Sequence, residues 1–205
     1  MEYKTLLDVC TAEYEEKKSV FICSICPVES VEDAMDFLEK VKKQYRQANH
    51  HCYAYLLKDG ITCRASDDGE PQGTAGIPML NVLQKSGVLG VCAVVTRYFG
   101  GTLLGANGLV RAYSHAVSLA LKQGTIITMC TCVPLTLTLP YKYYDSLQHM
   151  LPNYQLRTEG VDFTDQVDVK LVIPQILLEN FLRDVREKFG VDIQVKQVDF
   201  FESYI

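Results

Sequence analysis

The sequence predicts an α+β protein made of two domains, and three observations support this expectation. Its 205 residues suit one or two domains, and 48% of them are apolar, enough for packed cores. In the first half, helical periodicities alternate with strand-like runs, and two glycine-rich loops each lie before a helix. In the second half, the order strand, helix, strand, strand, helix, strand is the ferredoxin-like βαββαβ arrangement. We therefore expect domains over residues 1–130 and 131–205.

Composition and charge exclude several classes of protein. Charged types form 22% of the chain, which is typical of a folded globular protein and not of a disordered one. No apolar run approaches the roughly 18 residues that a membrane span needs, and the N-terminus lacks the pattern of a secretory signal. We therefore expect a cytoplasmic protein without membrane contact. The net charge of −5 argues against non-specific nucleic-acid binding, although Lys40, Lys42, Lys43 and Arg46 form a local basic cluster.

The eight cysteines predict neither a disulfide framework nor a metal centre. Most lie in apolar runs typical of buried strands, where a thiol behaves as a small hydrophobic group. Cys23 and Cys26 have the spacing of a chelate or a redox pair, but on a strand such positions point to opposite faces. We assign no metal ligand, cofactor or catalytic residue from the sequence.

Capping residues and periodicity locate the elements of the first domain. Ser30 is a suitable N-cap and Asp33 completes a capping box, so a helix is expected to begin there. A hairpin turn is expected at Lys58-Asp59-Gly60. The strand over residues 88–97 carries so few polar residues that we expect it at the centre of a sheet, buried on both faces. Further strands are predicted over residues 19–26, 51–57 and 61–65, and further helices over 77–86 and 109–122.

The second domain is predicted from its own alternations. Strands are expected over residues 133–139, 154–163, 166–173 and 191–201. Helices are expected over residues 141–151 and 174–189, the latter being strongly amphipathic.

An acidic loop, defined as residues 66–76, is the first segment that could carry chemistry. Asp67, Asp68 and Glu70 repel one another and need compensating positive charge or a metal ion nearby. Its glycines permit a left-handed backbone or the close approach of a partner, and Gly73 and Thr74 precede a helix N-terminus, which favours an anion.

A glycine loop, defined as residues 99–108, is the second such segment. It follows the most apolar strand and leads into a helix, as phosphate-binding loops do, but matches neither common nucleotide-binding motif. Arg97 and Arg111 flank this loop and are the expected counter-ions of the three acids. We therefore predict that the two loops meet in one surface. The candidate binding residues are His50, Asp67, Asp68, Glu70, Gly73, Thr74, Arg97, Gly100, Gly101, Gly105, Asn107 and Arg111.

Three readings of these residues stay open. The charged groups could form a structural ion-pair network that fixes the two loops without binding anything. They could form a binding surface for RNA or another macromolecule, or belong to a pure protein-interaction module. The three acids could also hold Mg²⁺ in an enzyme acting on a small phosphorylated substrate.

The two loops also carry a family resemblance. The segments Asp67-Asp68-Gly69-Glu70-Pro71, Gly73-Thr74-Ala75-Gly76, Arg97-Tyr98-Phe99-Gly100-Gly101 and Gly108-Leu109-Val110-Arg111-Ala112-Tyr113-Ser114 resemble the signature of the IMPACT / YigZ family. The resemblance extends to Lys17-Lys18-Ser19 and to the segment from Ala48 to Tyr55. The second half resembles the C-terminal ferredoxin-like domain of the bacterial members, so the resemblance covers nearly the whole chain.

The resemblance implies fold and function together. It implies a first domain like the second domain of ribosomal protein S5 and a second domain like the last domain of elongation factor G. Eukaryotic relatives of the first domain regulate translation, so we expect a regulatory protein that contacts RNA, the ribosome or a translation factor. The chain departs from the family at Leu103, where a lysine is common, and at Asn107 and His51. The absence of this lysine weakens the case for phosphate binding by the glycine loop.

Overall fold

The chain forms two compact units, each built on its own antiparallel sheet. A computed structural model describes residues 2–190, 194–197 and 201–204. One unit spans Tyr3–Ile127, and the other comprises Thr128–Ile205 together with Met1–Glu2. The α+β class predicted from the sequence is confirmed, because both units combine helices with antiparallel strands.

The first unit contains a five-stranded antiparallel sheet and three helices. Its strands are β2 (Cys10–Glu16), β3 (Ser19–Pro27), β4 (His50–Leu56), β5 (Cys63–Ser66) and β6 (Val91–Tyr98), and β1 (Tyr3–Leu6) lies outside this sheet. The helices are α1 (Val31–Gln44), α2 (Gly76–Ser86) and α3 (Ala106–Gln123). The strand order is β2-β3-β6-β4-β5, so β6 is the central strand, and its residues from Val91 to Arg97 are all buried, as predicted.

Hydrophobic cores cover both faces of this sheet. On one face, Cys23 and Cys52 belong to the core that includes residues of α2 and α3. On the other face, Cys26 and Cys92 belong to the core that includes residues of α1. Cys23 and Cys26 therefore point to opposite faces of β3, as their spacing predicts. Among the described residues, no group of three or more His, Cys, Asp or Glu side chains could hold a metal ion.

The helix boundaries of the first unit follow local sequence signals, with one exception. The Ser30 hydroxyl accepts from the Asp33 N–H and the Asp33 side chain accepts from the Ser30 N–H, which confirms the predicted capping box. The prediction that α3 begins at Leu109 is wrong, because the helix begins at Ala106. Asn107 and Gly108 are weak helix formers and suggested a loop, but the tertiary packing of the helix overrides this propensity.

The second unit has ferredoxin-like strand order. Strand β9 lies between β7 and β8, while β10 and β11 both pair with the other edge of β7, and every pairing is antiparallel. The predicted last strand over residues 191–201 includes β10 and ends where β11 begins; its residues 191–193 and 198–200 lie outside the described residues. The elements are β7 (Ile126–Leu139), α4 (Tyr144–Met150), β8 (Arg157–Phe163), β9 (Val167–Pro174), α5 (Gln175–Phe189), β10 (Gln194–Gln197) and β11 (Phe201–Tyr204).

No helix in the part of the chain that the structure describes is long and apolar enough to span a membrane.

Candidate functional site

Strand register brings the acidic loop and the glycine loop to the same end of the first sheet. His50, at the start of β4, pairs with Arg97 near the end of β6, and Tyr53 pairs with Ser66 at the end of β5. The acidic loop continues from Ser66 and the glycine loop follows β6, so both emerge at this end. The two loops that the sequence singled out therefore meet.

A buried ion pair joins the acidic loop to the end of β6, where the glycine loop begins. The Arg97 guanidinium donates from Nη1 to Oε1 of Glu70 over 2.6 Å, and both side chains are almost fully buried. The hydroxyl of Tyr113, on α3, donates to the same carboxylate oxygen over 2.7 Å. A charge-assisted hydrogen bond between buried groups is strong and costly to break, so this pair fixes the loops relative to each other.

Aromatic rings and Ser19 complete the surroundings of Arg97. Its guanidinium carbon lies 5.4 Å from the ring centre of Phe21 and 5.6 Å from that of Phe99, within the range of cation–π contact. The Ser19 hydroxyl accepts from Arg97 Nη2 over 3.4 Å and from the Gly100 N–H over 3.1 Å. Arg97 is thus enclosed by the protein and is not presented to solvent.

Asp67 is compensated by backbone groups and not by the arginine that the sequence suggested. Its carboxylate accepts from the N–H groups of Gly73, Ala75 and Gly76 over 2.8, 3.0 and 2.8 Å, at the N-terminus of α2. Partial burial by itself would raise the pKa of Asp67, but these three donors together bring it below its ordinary value. The acid therefore holds the acidic loop against the start of α2.

Asp68 connects the acidic loop to β4. Its carboxylate accepts from the His51 N–H over 2.6 Å, and its carbonyl oxygen lies 2.8 Å from Nδ1 of His50. Because a carbonyl oxygen only accepts, Nδ1 carries the proton and Nε2 faces Glu70, 4.0 Å from Oε1. The next residue, Gly69, has a φ of +86°, and a Cβ there would lie 3.4 Å from the His50 ring. The left-handed backbone explains the glycine, because other residues rarely adopt this φ.

The glycine loop is held at its base and exposed at its tip. The Phe99 N–H donates to the Asn49 side chain over 2.8 Å, and a Cβ on Gly100 would lie 2.0 Å from the carbonyl carbon of Lys18. Leu103, in contrast, is 82% exposed and Phe99 is 47% exposed. Gly101, Gly105 and Asn107 are exposed as well. The loop therefore presents apolar side chains to solvent, Leu103 at its tip and Phe99 at its fixed base.

Arg111 does not join the acidic loop, which corrects the expectation that it is a second counter-ion. It lies on the exposed side of α3, whereas its neighbours Ala112 and Tyr113 face the core. Within the described residues it makes no ion pair with the three acids. Successive helix positions differ by about 100°, so Arg111 lies about 200° from the buried Tyr113 and faces outward. Thr74 is also internal, because its buried hydroxyl donates to the Pro71 carbonyl over 2.7 Å.

Sequence reasoning missed several members of this network. Ser19, Tyr113 and Cys52 were assigned only to strands or the core, although each touches the charged residues. The Cys52 thiol lies 2.9 Å from the Asp67 carbonyl oxygen and 3.3 Å from the Tyr113 hydroxyl, and burial raises its pKa. One signal was available: a tyrosine hydroxyl on a buried helix face needs a polar partner.

Comparison with known proteins identifies the family. A family model described as the Impact N-terminal domain matches residues 17–121, which include every candidate residue from His50 to Arg111. The chain belongs to the IMPACT family. The family member from Haemophilus influenzae is 37% identical over 190 residues, covering 91% of this chain and 92% of its own. The family member YigZ from Escherichia coli is 37% identical over 174 residues, covering 83% and 85%.

A solved relative shares the architecture of the whole chain. The crystal structure of a hypothetical protein matches with a TM-score of 0.62 at 32% identity, covering 97% of this chain and 98% of its own. Both units of the fold are therefore shared with this relative.

Proposed function

We propose that this IMPACT-family protein regulates translation by binding a protein component of the translation machinery. The surface that binds, here called the two-loop surface, consists of the solvent-exposed parts of residues 67–76 and 99–108. Family membership supports the link to translation, because the family resemblance implies that eukaryotic relatives regulate it. The observation that carries the choice of surface is the buried Arg97–Glu70 pair, which joins the two loops.

The exposed groups of this surface favour a protein partner. Leu103 offers apolar contact area at the tip of the glycine loop and Phe99 at its base, being 82% and 47% exposed. Apolar and aromatic side chains that project from a rigid base are typical anchors of protein interfaces. Because the base of the loop is fixed, binding costs little ordering entropy.

RNA binding is the alternative, and the charges support it less well. Arg97, the central cation of the surface, is enclosed and paired with Glu70, so it is not available to a phosphate. Leu103 stands where the family commonly has a lysine, and the chain as a whole carries a net charge of −5. Affinity for nucleic acid depends on neutralising phosphates, and this surface offers few cations.

The contacts of the acidic loop also argue against the magnesium-dependent enzyme. Both carboxylate oxygens of Asp67 accept backbone N–H groups, and Oε1 of Glu70 accepts from Arg97 and Tyr113. Carboxylates engaged in this way would have to break these bonds to coordinate Mg²⁺.

Replacement of Leu103 tests the proposal. We expect Leu103→Ser to weaken binding to purified ribosomes or elongation factors at least about tenfold. The same change should abolish the effect of the added protein on a reconstituted translation reaction. The matched control is Ile61→Ser, because Ile61 is 83% exposed in the β4–β5 turn at the opposite end of the sheet.

Two outcomes would contradict the proposal. One is that the Leu103 variant binds as tightly as both the Ile61 variant and the wild-type protein. The other is loss of all binding after nuclease digestion of the free RNA, which would favour the RNA alternative.

A further inference from the structure

We propose that Cys130 and Cys132 form a reversible disulfide when the protein meets a hydroperoxide, making this pair an oxidation site in the second unit. The two thiol sulfurs lie 3.4 Å apart. Both residues lie on β7, and residues two positions apart on a strand share one face. The pair belongs to the second unit and is separate from the two-loop surface.

The spacing on the strand permits a bond and predicts that it is labile. A strand rises about 3.2–3.4 Å per residue, so the two Cα atoms are separated by about 6.5 Å. Disulfides span Cα separations of about 4.4–6.8 Å, which places this pair near the upper end. Closing the bond must pinch the strand, and strained disulfides are more easily reduced and are often regulatory.

A cavity gives an oxidant access to one thiol of the pair. Cys130 is half-buried and lines a cavity of about 640 Å³ in the second unit, together with Thr131, Glu2 and Glu179. Cys132 is fully buried. Because the cavity wall carries two carboxylates, an uncharged oxidant such as hydrogen peroxide enters more readily than an anionic one. Cys130 is therefore the attacking thiol and Cys132 the resolving one.

The reaction proceeds in two balanced steps. The Cys130 thiolate attacks one peroxide oxygen, the O–O bond breaks, and water leaves after protonation, which makes a sulfenic acid at Cys130. The Cys132 sulfur then attacks this sulfur, forms the S–S bond and releases the second water. The two thiols lose two electrons and two protons in total, and one peroxide is reduced to two waters. A small thiol reverses the change by exchange.

Oxidation strains defined strand pairings. Cys132 is opposite Pro174 of β9 and Phe201 of β11, and Cys130 is opposite Ser203 of β11. A pinch between positions 130 and 132 shortens β7 relative to both partners, so their hydrogen bonds must lengthen there. We expect faster amide exchange in residues 129–132 and 201–204 of the oxidised protein.

Peptide mass mapping of the full chain tests the inference. After treatment with hydrogen peroxide and alkylation in denaturant, the tryptic peptide 123–142, whose only cysteines are Cys130 and Cys132, should take no alkyl group and be lighter by two hydrogen atoms. Treatment with a thiol reductant should restore two alkylation sites. The internal control is the exposed Cys63, which lies on another peptide. It should form a sulfenic acid, so its peptide should gain one oxygen atom and not lose two hydrogen atoms.

A second variant identifies the order of the steps. Cys132→Ser should leave Cys130 as a sulfenic acid that a dimedone reagent traps. The inference is overturned if peptide 123–142 takes two alkyl groups at a peroxide dose that has oxidised Cys63. It is also overturned if its cysteines bond to other peptides in place of each other.

Discussion

The Arg97 guanidinium contacts Glu70 over 2.6 Å, although the two residues lie 27 positions apart, Arg97 near the end of β6 and Glu70 in the acidic loop. The same carboxylate oxygen receives the Tyr113 hydroxyl from α3. A strand end, a loop and a helix are thus held by one acid. The hypothesis of a structural ion-pair network and the hypothesis of a binding surface are therefore compatible, because the internal ion pair supports the exposed tip of the glycine loop.

Removal of the charge on Glu70 should destabilise the protein strongly. Glu70→Gln leaves the buried Arg97 charge without its counter-ion, and breaking a buried pair in this way costs about 3 kcal/mol or more. Urea unfolding followed by far-ultraviolet circular dichroism measures the loss. The control is Asp162→Asn, which breaks the exposed pair with Lys170 and should cost less than about 1 kcal/mol. Similar losses in the two variants would show that the Arg97–Glu70 pair does not hold the loops.

Stability should depend on the charge of Asp67 in a pH range set by its lowered pKa. The folded pKa lies below the unfolded value of about 3.9, so the charge stabilises the native state above about pH 4 and the contribution is lost as the pH falls through the folded value. Asp67→Asn should therefore be less stable than wild type at about pH 7, and the gap should narrow as the pH falls below about 4.

Urea midpoints of both proteins across this range measure the effect of Asp67. Asp8→Asn, at an exposed aspartate, is the control and should follow wild type throughout. A gap between wild type and the Asp67 variant that persists or widens in acid would contradict the role of the three backbone donors.

Gly100 should tolerate no side chain. A Cβ at this position would lie 2.0 Å from the carbonyl carbon and 2.1 Å from the carbonyl oxygen of Lys18, and backbone atoms cannot swing aside as a flexible side chain would. Gly100→Ala should thus displace the glycine loop and lower the free energy of unfolding by about 1–3 kcal/mol. Gly160→Ala is the matched control, because a Cβ there meets nothing within 4 Å. Equal stabilities of the two variants would contradict the close approach.

Local signals in the sequence predicted much of the fold. The capping box of Ser30 and Asp33 and the left-handed Gly87 at the end of α2 depend on neighbouring residues, so they are visible in the sequence itself. Strands β1 and β2 were not predicted. In β2, Ala12 points inward while the flanking Thr11 and Glu13 are exposed, an alternation that does indicate a half-buried strand.

The candidate site was predicted in part, for a physical reason. The acids of one loop and the arginines beside the other predict an ion pair, and Arg97 and Glu70 form one. The partners of Asp67 are backbone N–H groups. Every residue except proline has such a group, and these point at Asp67 only because the N-terminus of α2 forms beside it, so the sequence does not reveal them. The orientation of Arg111 depends on which face of α3 is buried. The boundary between residues 130 and 131, as a division into two functional domains, stays a prediction.

Hydrogen exchange in the bound state tests the central claim most directly. The claim is that residues 67–76 and 99–108 act as one surface for a translation component. Deuterium uptake measured by mass spectrometry, with and without saturating ribosomes or elongation factor, should fall in peptides from both loops together, while the β4–β5 turn around Ile61 stays unchanged. Protection of one loop alone, or protection confined to the basic cluster from Lys40 to Arg46, would contradict it.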